Sequence, residues 1–197
     1  MIEHRLELPD PWTARYTDGT PQNGARLSAW MNQDYLARTW KQDWPADRWT
    51  ELLREHEERS DVGSFTVDHR GRPFAYIEVY EPATSVLADH GDWAKEDLGF
   101  HFAVVEPELL RRGLARDLMG DLCATLFAQY PGARLIAVEP DVANTAIARL
   151  FEYTGFALAR TVQLPHKQAA LMVLPREAHG RSRSTARTGP ATAPDPR

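Results

Sequence analysis

The stretch EPELLRRGLARDLMGDL, Glu106–Leu122, sets Arg111, Arg112, Gly113 and Arg116 where helical spacing begins. The first amides of a helix have no intrahelical acceptor, and the backbone dipole is positive there. A glycine at 113 lets a ligand approach the backbone without a Cβ in the way. The arginines add formal positive charge beside it. The chemistry these residues compose is anion binding, and a pyrophosphate is the group that fits. Arginines that merely solvate a helix start would use the same residue types, so the stretch does not decide the matter alone.

Other residues carry acid–base chemistry. In GFHFAV, His101 shares a strand face with Gly99 and Ala103, opposite Phe100 and Phe102. On a small-residue face lining a cleft, a histidine can take a proton near neutral pH. A packed histidine with a satisfied hydrogen bond is the plainer alternative. Asp141 ends VEPD, where it serves as a helix N-cap, as a partner of that base, or as an anchor for a substrate amine. Glu78 and Tyr80 alternate with Tyr76 in YIEVY; they hold a cationic amine or a hydroxylamine hydroxyl, or form a solvated sheet face. Lys167, after His166 in PHKQA, pairs a substrate carboxylate or closes a turn. The histidines show no i, i+4 pair and Cys123 is the only cysteine, so neither a metal site nor an internal disulfide is expected. No P-loop spacing occurs, which argues against phosphoryl transfer.

The elements that must position these residues read as follows. HRLEL and WTARYT read as short strands, and NGARLSAWMNQDYLART holds a helix. DWPADRWTELLREHEERS gives a clearer helix, with Pro45 near its first turn. GSFTVDHRGRPFAYIEVY reads as a β-hairpin turning at His69–Arg72. Residues 98–105 form a strand, and residues 113–130 a long helix striped by Leu114, Leu118, Leu122, Leu126 and Phe127. RLIAVEP is a strand, and DVANTAIARLFEYTGF a helix ended by Gly155. Two last strands are hinged at Pro165. Strand–helix–strand order favours parallel neighbours, and the hairpin adds antiparallel ones. The expectation is a mixed sheet flanked by helices in one domain, 1–174. Residues 175–197 are expected to be a disordered Arg/Ser/Pro-rich tail.

The chain has 197 residues and a net charge of −5. The expected tail has five arginines against two acids, which leaves −8 on the body before it. A negative body suits a cationic substrate and disfavours nucleic acid. No apolar run reaches the length of a membrane span and no secretory signal is visible, so a cytoplasmic setting is expected.

The pairing of RRGLA with N-x5-LFE-x2-GF resembles the N-acetyltransferase superfamily (GNAT) that uses acyl-CoA donors. The resemblance implies an α+β fold: a mixed central sheet of six to seven strands, with a parallel splayed pair holding acyl-CoA. It implies that Val104, Val105, Arg111, Arg112, Gly113, Leu114, Ala115, Arg116 and Asn144 hold the coenzyme. Leu110 departs from the usual Gln or Arg three places before Gly113. Phe151 stands where many members carry a tyrosine that protonates the leaving thiolate.

PFAYIEVY, LGFHFAVVEPELLRRGLARDLM and LPHKQAALMVL are similar to a branch that acylates amines or hydroxylamines in siderophore assembly. That resemblance implies His101 as base with Asp141 paired to it; Glu78, Tyr80 and Lys167 stay the candidates, from the residues themselves, to hold the acceptor. It implies transfer of an acetyl or succinyl group from its CoA thioester to an N-hydroxylated diamine or basic amino acid, such as hydroxycadaverine or N6-hydroxylysine, by a monomer or homodimer. The alternatives are an aminoglycoside or lysine N-acyltransferase of the same fold, or a non-catalytic CoA-binding module.

Overall fold

The computed structural model describes residues 1–179. Its centre is a seven-stranded sheet in the order β1-β2-β3-β4-β5-β7-β6. The strands are β1 Trp12–Tyr16, β2 Val62–His69, β3 Arg72–Tyr80, β4 Leu98–Val104, β5 Leu135–Val138, β6 Ala157–Leu164 and β7 Lys167–Pro175. Every neighbouring pair is antiparallel except β4 and β5. The hairpin turns at Arg70 and Gly71, both at positive φ, as the sequence pattern implies.

Helices cover both faces. α4, Leu114–Gln129, packs Leu118, Met119, Leu122 and Leu126 against Phe65, Phe74, Ile77, Phe100 and Ile136. α5, Thr145–Tyr153, lies on the same side through Phe151. The opposite face takes α1, Pro21–Met31, α2, Asp34–Trp40, and α3, Ala46–Glu57. Their Leu27, Met31, Leu36, Trp49 and Leu53 cluster with Tyr76 and Ala103. The alternation along β3 and β4 therefore sorts one set of side chains toward α4 and the other, with Tyr76 and Ala103, toward the tryptophan-rich helices.

Three expectations change. HRLEL is not a strand: Leu6 is buried, but the segment is held by contacts such as the Gln129 side-chain amide donating to the Arg5 carbonyl, 3.1 Å. The single helix expected after residue 22 is two. Gln33 is extended, at φ −65° and ψ 136°, and breaks the run between α1 and α2. The fold also continues past residue 174. Pro175 ends β7, and Arg176 donates to the carbonyls of Ala133, Phe127 and Tyr130. The rest of the expected tail, 180–197, lies outside the described residues.

Candidate active site

The site forms where the parallel pair separates. β4 and β5 are paired only at Leu98 with Ile136 and at Gly99 with Ala137. Beyond that point the chain after β5 follows β7: the Ala170 amide donates to the Pro140 carbonyl, 2.9 Å, and Asp141 bridges Ala169. Two residues past the last pair, His101 on β4 and Glu139 after β5 stand on either side of the opening. His101 Nε2 lies 2.5 Å from Glu139 Oε1, so a charged cross-link spans the mouth of the split.

His101 also sits directly across from Glu78 on β3, and its Nδ1 lies 2.8 Å from Glu78 Oε2. Behind Glu78 runs a hydrogen-bonded chain. The Tyr76 hydroxyl donates to Glu78 Oε1, 2.9 Å. It must then accept from Ser64, 3.1 Å, whose oxygen accepts from His56 Nδ1, 2.8 Å. On the other side Tyr80 donates to Glu139 Oε2, 2.6 Å. Lys167 Nζ stands 3.7 Å from Glu139. An ionised carboxylate only accepts, so both ring nitrogens of His101 carry protons. Burial alone would lower its pKa; the Glu139 and Glu78 carboxylates reverse that and raise it to about 10. Burial likewise pushes Glu139 up, but His101 and Lys167 hold it down at about 2. Glu78 is held below its ordinary value by His101 in the same way.

The expected base is thus a cation with no free lone pair, and its partner is Glu139 rather than Asp141. Asp141 is taken by other groups: Oδ2 meets Lys41 Nζ at 2.7 Å, and Oδ1 accepts from the Ala143 amide at 2.9 Å. Lys41, just past α2, is left-handed at φ 60°. Nor does Asp141 cap α5; Asn144 does, accepting from the Ile147 amide at 3.3 Å. Glu78 and Tyr80 are buried and do not line the cavity; they bond to His101 and Glu139 from behind.

A cavity of about 630 Å³ opens from this cross-link, within the usual size of a small-molecule site. Its walls include Trp40, Phe102, Ile147 and Phe151, and it reaches Leu110, Arg111 and Ala115 at the start of α4. There the geometry fits an anion cradle. Gly113 has φ +80°, and a Cβ on it would meet nothing within 4 Å among the described residues. Arg111 is left-handed too, at φ 60°. No side chain among the described residues caps α4, and the amides of Arg116 and Asp117 turn back to the Gly113 carbonyl. The Leu114 and Ala115 amides lie ahead of the first intrahelical bond. Arg112, Gly113, Leu114 and Arg116 belong to this loop and first turn without lining the cavity. Arg116 stacks over the Tyr153 ring at 5.1 Å.

Val104 lines the cavity, although its carbonyl accepts from the Tyr35 hydroxyl, 2.8 Å. Val105 does not line it. Its amide is bonded to the Phe74 carbonyl and its carbonyl to Gln33, so neither is free for a coenzyme. Phe151 has a packing reason to be aromatic and apolar. The Phe156 amide bonds the Phe151 carbonyl, and the Gly155 amide that of Glu152, which is a Schellman end. The two phenylalanine rings close that end with centroids 5.3 Å apart. Asn144, Lys167 and Asp141 line the cavity. His166 lines it also, and Glu139 is the acid that sequence reasoning passed over.

The comparisons agree with this geometry. Residues 21–164 match the family model described as an acetyltransferase (GNAT) domain. The lysine N-acyltransferase MbtK of Mycolicibacterium paratuberculosis is 33% identical over 152 residues, covering 75% of this chain and 67% of its own. The N-hydroxyputrescine acetyltransferase of Acinetobacter baumannii is 26% identical over 161 residues, covering 80% and 74%. Among solved structures, the aminoglycoside acetyltransferase AAC(6')-Ib in complex with coenzyme A and kanamycin superposes with a TM-score of 0.73 at 26% identity, covering 87% of this chain and 99% of that one. With the split parallel pair, the open helix start and these relatives together, the chain belongs to the GNAT acetyltransferase family and is an acyl-transferring enzyme.

Proposed function

We propose that this enzyme transfers a short acyl group, acetyl or succinyl, from its CoA thioester to the hydroxylated nitrogen of an N-hydroxy diamine or basic amino acid. The product is a hydroxamate of the kind used in siderophores. The supporting observation is one continuous cavity that joins the anion cradle at Arg111 to the charged cross-link at His101 and Glu139. The diphosphate of the donor rests on the loop Arg111–Arg116, where Gly113 admits it, and the pantetheine arm passes Val104 and Asn144. The carbonyl then lies at the split, where the acceptor meets it beside His101 and Lys167. The name of the hydroxyputrescine relative supports a hydroxylated acceptor, and that of the lysine relative supports a basic amino acid.

The negative charge of the body does not select a cation here. Both carboxylates that line the cavity are already paired, Glu139 with His101 and Lys167, and Asp141 with Lys41. The acceptor is therefore recognised by its nitrogen and shape rather than by overall charge. A second reading, aminoglycoside acetylation, is favoured by the fold likeness to AAC(6')-Ib. Thiol release separates the two. Acetyl-CoA and succinyl-CoA are each offered with N-hydroxycadaverine, N6-hydroxylysine, lysine and kanamycin. Hydroxylated acceptors are expected to give the highest kcat/KM; release with kanamycin alone would replace this reading by the second.

A further inference from the structure

Acyl transfer leaves the attacking nitrogen with one proton too many, and something must take it. Neither ring nitrogen of His101 can, since each is spent on a carboxylate, at 2.8 Å and 2.5 Å. Glu139 has both oxygens engaged, by His101 and Tyr80. Asp141 is held by Lys41 and the Ala143 amide. The ammonium groups of Lys41 and Lys167 and the guanidinium of Arg111 only donate. One lining group remains. His166, in the turn between β6 and β7, lines the same cavity, and its ring has no hydrogen-bond partner among the described residues. Its neighbour Lys167 is the residue that reaches Glu139, which places the turn at the reaction end of the cavity.

We propose that His166, not His101, is the group that takes the proton from the acceptor nitrogen. The proposal rests on the acyl-transfer reading above. The nitrogen lone pair forms the C–N bond, the C–S bond breaks, and the thiolate leaves with the electron pair. The nitrogen proton passes to the free ring nitrogen of His166, which releases it to solvent or to the thiolate and is restored. His101 stays charged throughout as a positioning residue that cross-links the two sides of the split.

The surroundings suit this division. The groups facing His166 are Lys167 on its own turn, Lys41 beyond α2, His101 on β4, and Glu139 and Asp141 after β5. His166 is exposed, yet the desolvation its surroundings impose and then Lys167 lower its pKa, Glu139 opposes them, and the His101 and Lys41 charges lower it further. It is therefore neutral, and a weak base, at physiological pH. A base this weak removes a proton from an alkyl ammonium poorly. It is adequate for an N-hydroxylamine, which reaches the cavity uncharged and becomes acidic only as the C–N bond forms. The acceptor class and the base thus match each other.

The test is the pH profile of kcat/KM, by thiol release from acetyl-CoA with N-hydroxycadaverine. The wild type is expected to lose activity as pH falls below about 6.5, the ordinary histidine value. His166→Gln is expected to lose that acid limb and roughly 10²-fold of the neutral rate, the low end for a general base. Its CoA affinity should be unchanged, since the cradle lies at the other end. Two-bond ¹H–¹⁵N spectra read the rings directly: at about pH 8 His101 should be doubly protonated and His166 neutral. A His166→Gln enzyme with the wild-type rate and acid limb, or a neutral His101 at that pH, overturns the assignment while leaving acyl transfer standing. Wild-type enzyme that releases no thiol with any of the acceptors overturns both.

Discussion

The two ends of the cavity are built on opposite plans. At the reaction end every strong polar group but the His166 ring has a partner among the described residues: Glu78, His101, Glu139, Tyr76 and Tyr80 form one largely buried, hydrogen-bonded set. At the donor end the polar groups are left open: no side chain among the described residues caps α4, and the loop holds two left-handed residues, Arg111 and Gly113. One end is finished before substrate arrives; the other is completed by its ligand. Breaking the first should therefore cost stability, and breaking the second should cost donor affinity.

The largest effect is expected at Glu139. Glu139→Ala leaves the His101 charge, the Lys167 charge and the Tyr80 hydroxyl without their shared acceptor. Removing one partner of a buried ion pair costs about 3–5 kcal/mol, enough to threaten folding of a domain of ordinary stability. Glu139→Gln, which keeps the shape and one oxygen, should fall between it and the wild type. Urea unfolding of the three proteins measures this; a Glu139→Ala protein as stable as the wild type would mean that packing, not charge, holds the split.

A milder and reversible form of the same break is pH. His101 has a folded pKa near 10, above its ordinary 6.5. The stabilisation it contributes is fully present below pH 6.5 and is lost as pH rises through about 10. Glu139, held near 2 rather than 4.5, contributes above pH 4.5 and loses its contribution as pH falls toward 2. Melting temperature should therefore decline on the alkaline side, and His101→Gln should flatten that decline. An alkaline limb identical in both proteins would assign it to other groups.

At the donor end, Gly113→Val meets no steric obstacle among the described residues, since none comes within 4 Å of a Cβ there. The cost is backbone strain, about 1–2 kcal/mol for a non-glycine residue in this region. The loop relieves it by changing shape. The expected result is a donor KM raised roughly tenfold with kcat near normal, the equivalent of about 1.4 kcal/mol. A fall in kcat with unchanged KM would place Gly113 in the chemistry rather than in the cradle.

How much of this was visible in the sequence follows the range of the interactions. The cradle is local, so Arg111–Arg116 and the start of α4 at Gly113 could be read from adjacent residues. The face of His101 was legible from alternation, and Glu78 does lie across from it. Glu139 was not legible. It and Asp141 are two residues apart, so strand parity puts both on one face. What chooses between them is the point where the chain leaves β4, a register set between segments 38 residues apart. The same limit hid the Lys41–Asp141 pair, which joins positions 100 apart. Phe151 was visible as a departure from the family pattern, but its packing against Phe156 needed the helix end to be seen.

The half-exposed pair at the reaction end gives the finest test of the contrast, because it separates charge from burial. Lys41 and Asp141 meet at 2.7 Å across the cavity mouth, yet the Lys41 side chain is 48% exposed. If burial is what makes the reaction end rigid, this pair should be worth little: about 0–1 kcal/mol, screened by salt. Lys41 also sits in left-handed backbone at φ 60°, where glycine is at ease and alanine is not. Lys41→Ala loses the ion pair and keeps the strain. Lys41→Gly loses the ion pair and relieves the strain, so it should be the more stable of the two by up to about 1 kcal/mol. The wild type should exceed Lys41→Ala by a margin that shrinks as salt is added, while the alanine–glycine gap stays constant. Should the wild-type margin instead prove large and indifferent to salt, the pair behaves as a buried one, and the mouth of the cavity belongs with the prepared end rather than with its solvent-facing rim.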